Sequence, residues 1–255
     1  LESPAGTIVK ITTDNGSLND NVFNGTLWDD QAGDPVTDHV YANNVVATPL
    51  TVEEALGMFL GEDPNGTWTL TVADDATIDT GTLNSWSLAV TSIAAAPATT
   101  WWPPVANNTP TPIPDNGSVQ SVINIVSSNY LLEAELQTTI THTFSGDLDI
   151  TLQSPAGTVE VVTTDNGGSN DNVFNGTYWR DTANEGPVDH VYVNNVVATP
   201  LDLEGAMARF TGQNPNGNWT LTVADDATID TGTLNSWSLT LRTAEACGCQ
   251  LDLTC

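Results

Sequence analysis

Apolar and polar residues alternate along several short stretches of this chain. VQSVINIV (119–126), LQTTITHTF (136–144), LDITLQS (148–154), TVEVVTT (158–164), NWTLTVAD (218–225) and SWSLTLRT (236–243) show the pattern. Successive side chains of a strand point to opposite faces, so a period of two predicts strands with one buried face. The stretches are separated by SPAG, DNGG, NPNG and DTGT, whose glycine, proline, asparagine and aspartate favour tight reversals. Helical spacing of apolar residues occurs in LTVEEALGMF (50–59) and again at 201–210, predicting a short helix at each. Many short strands with one apolar face predict an all-β chain built as β-sandwiches.

The pattern is written twice. Residues 1–92 align with 152–243 without a gap, and about two thirds of the aligned positions are identical. NDNVFNGT at 19–26 returns at 170–177, NNVVATPL at 43–50 returns at 194–201, and residues 68–88 return letter for letter at 219–239. The segment 113–151 has no counterpart in the first copy. That copy is therefore expected to carry open sheet edges, which invite pairing with another strand. The expected organisation is a domain at 1–93 lacking its N-terminal strands, a connector at 94–112, a complete domain at 113–243 and a tail at 244–255. The connector, TTWWPPVANNTPTP at its centre, is rich in proline and small residues and suits a semi-stiff spacer. Trp101 and Trp102 are expected to pack on a neighbouring domain, with stacking on carbohydrate as the alternative.

Charge narrows the function classes. Among 255 residues, 32 are acidic and 4 basic, for a formal net charge of −28. Nucleic acids and anionic membrane surfaces are disfavoured as partners, because both are bound by neutralising their phosphates with Lys and Arg. No apolar run is long enough to span a bilayer. Cys247, Cys249 and Cys255 all fall in the tail, so the body of the chain uses no disulfides. The Thr-, Asn-, Asp- and Gly-rich composition points to an extracellular setting.

GDLDITLQSPAGT (146–158), the Asn/Asp-rich loop after it, then GQNPNGNWTLTVAD (212–225) and DTGTLNSWSL (230–239) carry a family resemblance. In this order they resemble the P domain, also called P/Homo B, which follows the catalytic domain of kexin- and furin-like proprotein convertases. The resemblance covers the second copy and most of the first. It implies tandem jelly-roll-like sandwiches of about eight strands each, with no catalysis of their own. The closing CGCQLDLTC (247–255) resembles the opening of a hyalin-repeat domain.

The polar loops suggest a metal. Calcium takes six to eight oxygen ligands in flexible geometry, which clustered Asp and Asn on Gly-containing loops can supply. The Asn/Asp loop offers Asp14, Asn15, Asn19 and Asp20, repeated as Asp165, Asn166, Asn170 and Asp171, with Asp30 and Asp181 shortly after. The turn between the last two strands adds Asp74 and Asp225. Ca2+ is the expected cofactor, and the alternative is that these residues simply form turns. Trp68, Trp86, Trp219 and Trp237 are expected in the cores; Trp28 and Trp179 are either core or exposed binding aromatics. His39, His142 and His190 stand apart from any G-x-S-x-G or metal-ligand pattern, so no catalytic set is expected.

Two functions are open at this point. One is a non-catalytic structural or adhesive repeat of a surface or filament-forming protein, stiffened by calcium. Its partners would be neighbouring domains or subunits of the same protein, joined by strand complementation. The other is a pair of accessory domains of a secreted subtilisin-like or metalloprotease. Carbohydrate binding is a third option.

Overall fold

The structure, a computed structural model, describes residues 1–93 and 97–245. The cysteines, and with them the expected hyalin-repeat start, lie outside the described residues. The chain is all-β, with strands β1 (Thr99–Trp101), β2 (Val105–Asn107), β3 (Thr111–Ile113), β4 (Gly117–Ile125), β5 (Tyr130–His142), β6 (Leu148–Gln153), β7 (Val159–Thr163), β8 (Asn175–Trp179), β9 (Gly217–Asp225) and β10 (Gly232–Ala244).

Two antiparallel sheets form a sandwich. One runs β1-β10-β5-β8, with β2 and β3 also paired to β10; the other runs β4-β9-β6-β7. Alternation explains both. In β9, and in β5 from Ala134 onward, every second side chain is buried, while Thr, Glu and Asn occupy many of the intervening positions. Burial of Ile123, Leu136, Ile140, Leu148, Leu152, Trp219, Leu221, Trp237 and Leu239 fills the space between the sheets. Each such side chain contributes roughly 1.5–3 kcal/mol by leaving water.

The stretch expected to be a connector is largely sheet. Thr99, Thr100 and Trp101 pair with Ala244, Thr243 and Arg242, and β2 and β3 continue along the same edge of β10. The Trp102 indole N–H donates to Thr243 Oγ1 at 2.9 Å, fixing this edge. Proline is tolerated there because an edge strand leaves alternate N–H groups unpaired. Of the two predicted helices only the last turn of each forms, as 3-10 helices at Leu56–Phe59 and Met207–Phe210.

The first copy follows the second only where its partners exist. Glu2 bridges Thr69 and Ile8, as Gln153 pairs with Thr220 and Val159. A small core of Val36, Ala47 and Leu50 packs with Phe23, Trp28 and Tyr41. The aromatic cluster is repeated: Phe23 lies 5.4 Å from Trp28 and 5.7 Å from Tyr41, and Phe174 lies 5.3 Å from Trp179 and 5.9 Å from Tyr192. Beyond Thr69 the first copy forms no paired strand among the described residues.

Candidate functional site

The Asn/Asp loop is shaped by its own side chains. Asp14 and Asp165 take φ of 53° and 55°, and Gly16 and Gly167 follow at 98° and 104°. Such left-handed backbone suits Gly and is tolerated by Asp and Asn. Asn19 and Asn170 donate side-chain amides to the carbonyls of Gly16 and Gly167 at 3.1 and 2.7 Å. The backbone N–H groups of Asp20 and Asp171 each donate to an asparagine Oδ1, of Asn43 and Asn194, at 2.6 Å. Asn15 donates to Glu53 and Asn166 to Glu204, so these two amides serve buried glutamates.

Asp30 and Asp181 hold the starts of the 3-10 helices. Asp30 accepts from the N–H groups of Leu56 and Gly57 at 3.0 and 2.8 Å, and Asp181 from Met207 and Ala208 at 2.7 Å each. These donors lack intrahelical partners, which is what a carboxylate at a helix start satisfies. Asp74 and Asp225 accept from Ala76 and Ala227, two residues on. Asp225 is buried as well, with its Oδ2 3.1 Å from His142 Nε2, while His142 Nδ1 lies 2.8 Å from the carbonyl of Phe144. The expected ligands thus sit in separate places with local hydrogen-bonding roles. Among the described residues no three His, Cys, Asp or Glu side chains are arranged to hold a metal ion.

Carboxylates do gather where the two copies meet. The Ala55 N–H donates to Asp202 Oδ2 at 3.2 Å, Gln31 Nε2 to the Ala208 carbonyl at 3.1 Å, and Thr164 Oγ1 to Asp38 Oδ2 at 3.4 Å. Lys10 bridges Glu54 and Asp189 at 3.3 and 3.6 Å. Burial pushes the carboxyl of Asp30 up to about 6 and that of Asp181 to about 7, with Asp29 adding to the first and Asp30 to the second. Asp202 is raised by burial and by Asp181. Glu160 reaches about 7 through burial, opposed by Arg209 at 3.0 Å, and Glu204 about 8 through burial and then Asp38. A second group, Asp149, Asp165, Asp226 and Asp38, lies beside it; burial and then these neighbours raise Asp149 to about 6.

Of the sequence-predicted residues the structure brings Asp30 and Asp181 to this contact, and Asp165 to the second group. Glu160, Asp202, Glu204, Asp38 and Asp149 were missed. A Glu in an alternating strand, such as Glu160 in β7, reads as a surface position until the contact that buries it is known. Trp179 is fully buried, its indole N–H donating to Thr138 Oγ1 at 2.9 Å, so it is not an exposed binding aromatic. Trp86, expected in a core, is 44% exposed.

The sequence matches the proprotein convertase P-domain over residues 1–90 and again over 132–241. The chain belongs to this family. The P-domain is a non-catalytic accessory domain of proteases, and these residues are accordingly not an enzyme. β1 to β4 lie outside the matched stretches, yet they complete the sandwich of the second P-domain. Among solved structures, the complex of the Aeromonas sobria serine protease with its chaperone ORF2 is 21% identical at a TM-score of 0.40, covering 59% of this chain and 28% of that one. The same protease alone is 19% identical at 0.38, covering 58% and 28%. The two P-domains therefore span little more than a quarter of the length of those chains. No curated protein matches the sequence. Among the described residues no helix is long and apolar enough to cross a membrane.

Proposed function

We propose that these residues are accessory domains of a secreted protease, joined to a catalytic domain that they stabilise and whose chemistry they do not share. The observation that carries this reading is the P-domain match over both copies. The partner is then a domain of the same polypeptide, outside the cell. The structural or adhesive array read from the tandem repeat stands behind it, because the family's ordinary place is beside a protease.

The test uses the natural polypeptide. Antibodies to the second P-domain are used to isolate it from the culture medium, and it is treated with a fluorophosphonate probe for serine hydrolases and a hydroxamate photoprobe for metalloproteases. Labelling of the isolated polypeptide by either probe is expected. A polypeptide labelled by neither, and built of further β-sandwich repeats, overturns the reading in favour of the array.

Calcium belongs to the same proposal. Among the described residues no three carboxylates are arranged to hold a metal ion as they stand, but Asp38, Asp165 and Asp226 each raise the proton affinity of Asp149, a repulsion that a cation drawing them together would relieve. Bound at that group, calcium would stiffen the contact between the two domains.

A further inference from the structure

The two copies meet about an approximate two-fold axis, so that equivalent positions face one another. Gly57 stands against Ala208, its counterpart in the repeat, and Asp30 stands beside its own counterpart, Asp181. Glu53 lies against Asp189 as Glu204 lies against Asp38. The 3-10 helices Leu56–Phe59 and Met207–Phe210 touch across the axis. In such an isologous contact a surface patch meets its own image. Backbone shape alone would therefore let any copy of the repeat pair with any other, its own kind included.

The letters that differ between the copies narrow that choice. A Cβ on Gly57 would lie 2.6 Å from Ala208 Cβ and 2.6 Å from Asp181 Oδ2, so an alanine does not fit against an alanine here. A Cβ on Gly33 would run into the guanidinium of Arg209, which the Val159 carbonyl at 2.7 Å and Glu160 Oε2 at 3.0 Å hold in place. The second copy has Asn184 where the first has Gly33, and the first has Met58 where the second has Arg209. Hydrogen bonding is divided in the same way. The Ala206 N–H donates to Glu160 Oε1 of its own domain at 3.1 Å. The first copy has Val9 in place of that glutamate, and its Ala55 N–H donates across the contact to Asp202 Oδ2 at 3.2 Å. The counterpart of Asp202 is Thr51. Lys10, whose counterpart is Val161, reaches across to Asp189 at 3.6 Å.

We propose that this face is a keyed docking surface, through which the first P-domain takes a second-type P-domain as its partner and rejects one of its own kind. Two second-type faces would set Ala208 against Ala208 and Arg209 against Asn184, overlaps that oppose pairing. They would also bury Asp202 opposite an Ala206 N–H already bonded to Glu160. Two first-type faces would set the buried Ala55 N–H opposite the shorter Thr51, and would have no Arg209 among their carboxylates. The mixed pair meets every one of these demands, and an isologous pair closes on itself and does not propagate. Joining both faces in one chain favours pairing within it over pairing between chains. The inference is independent of whether a protease domain is attached.

The chain's only lysine reads the test. Lys10 Nζ lies 3.3 Å from Glu54 Oε1 in its own domain and 3.6 Å from Asp189 Oδ2 across the contact. Zero-length carbodiimide cross-linking of the 255-residue chain, followed by peptide mass mapping, therefore reports the fold of the first domain and its docking together. Both links are expected in product of monomer mass. Gly33→Asn with Gly57→Ala gives the first face two second-type letters, and asparagine tolerates the φ of 67° at position 33. This variant is expected to lower the Asp189 link relative to the Glu54 link by about tenfold. Asp202→Thr is expected to lower it by a similar factor, and it leaves the first domain untouched should the other variant lose the Glu54 link. The reciprocal change, Asn184→Gly with Ala208→Gly, only removes bulk and is expected to leave the ratio nearly unchanged. A ratio unaffected by Gly33→Asn with Gly57→Ala or by Asp202→Thr overturns the proposal. So does a reciprocal variant as disruptive as these, or an Asp189 link found only in dimers.

Discussion

Trp86 and Trp237 are the same letter at the same place in the repeat, and they measure how much of a residue's contribution lies in its surroundings. The Trp237 indole N–H donates to Ser121 Oγ at 2.8 Å, and its ring is closed in between the sheets. Removing it leaves a large cavity, which costs about 3–5 kcal/mol, while the Ser121 hydroxyl keeps its bond from Asn107. Trp86 has no such enclosure, and a substitution at an exposed position stays within about 0.5 kcal/mol. Urea unfolding of the two variants is therefore expected to separate them widely: Trp237→Ala lowers the midpoint of the main transition, while Trp86→Ala leaves it nearly unchanged. Equal effects would mean that the first domain is closed in solution. Among candidate ligands, Asp and Asn at turns were legible as residue types, and their bonding was not. Asn19 and Asn170 could be read as calcium oxygens or as turn formers, and the turn role is one their amides fill, donating to the Gly16 and Gly167 carbonyls.

At the scale of elements, period two located β4, β6, β7 and β9 and most of β5 and β10, because these strands have one wet and one dry face. β8 was not legible, since NGTYW lies in a loop-like run of Asn and Gly and gains its strand character from pairing with β5. β1 to β3 were hidden by proline. The carboxylates between the domains were hidden for another reason: a contact between two units leaves no periodicity in either. Comparison of the copies does expose one contact of a buried carboxylate within the second domain. The second domain has Glu160 and Gly205 where the first has Val9 and Glu54, so each retains one buried carboxylate there. A Cβ on Gly205 would lie 1.7 Å from Glu160 Oε1, 2.7 Å from its Cδ and 3.1 Å from the Val161 carbonyl. Gly205→Ala is thus expected to destabilise by about 1–3 kcal/mol through overpacking. Combined with Glu160→Val it should cost less than the sum of the two single changes, because the valine vacates the clash. Thermal unfolding of the four variants gives that coupling, and strict additivity would show that the two side chains do not meet.

For the whole molecule the dominant fact is excess negative charge gathered at the contact between domains. Asp30, Asp149, Glu160, Asp181 and Glu204 all have folded-state values above their ordinary ones, between about 6 and about 8. Between about pH 4 and pH 8 the folded protein therefore binds more protons than the unfolded chain. Stability must then fall as pH rises through this window, and acidification from pH 8 to pH 5 should raise the melting temperature. Asp181→Asn keeps an acceptor for one of the Met207 and Ala208 N–H groups while removing a titrating carboxyl, so its melting temperature should depend less steeply on pH. A divalent cation relieves the same repulsion without protons, and calcium should compete with acid. At pH 8 and a hundredfold excess over its dissociation constant, a single site would add about 2.7 kcal/mol. At pH 5, below the value of about 6 for Asp149, that gain should be smaller, and Asp165→Asn should remove it at pH 8. Scanning calorimetry at both pH values, with calcium or with EDTA, reads these effects together. A calcium response as large at pH 5 as at pH 8 would place the ion away from Asp149 and Asp165, and no response at either would remove calcium from the account.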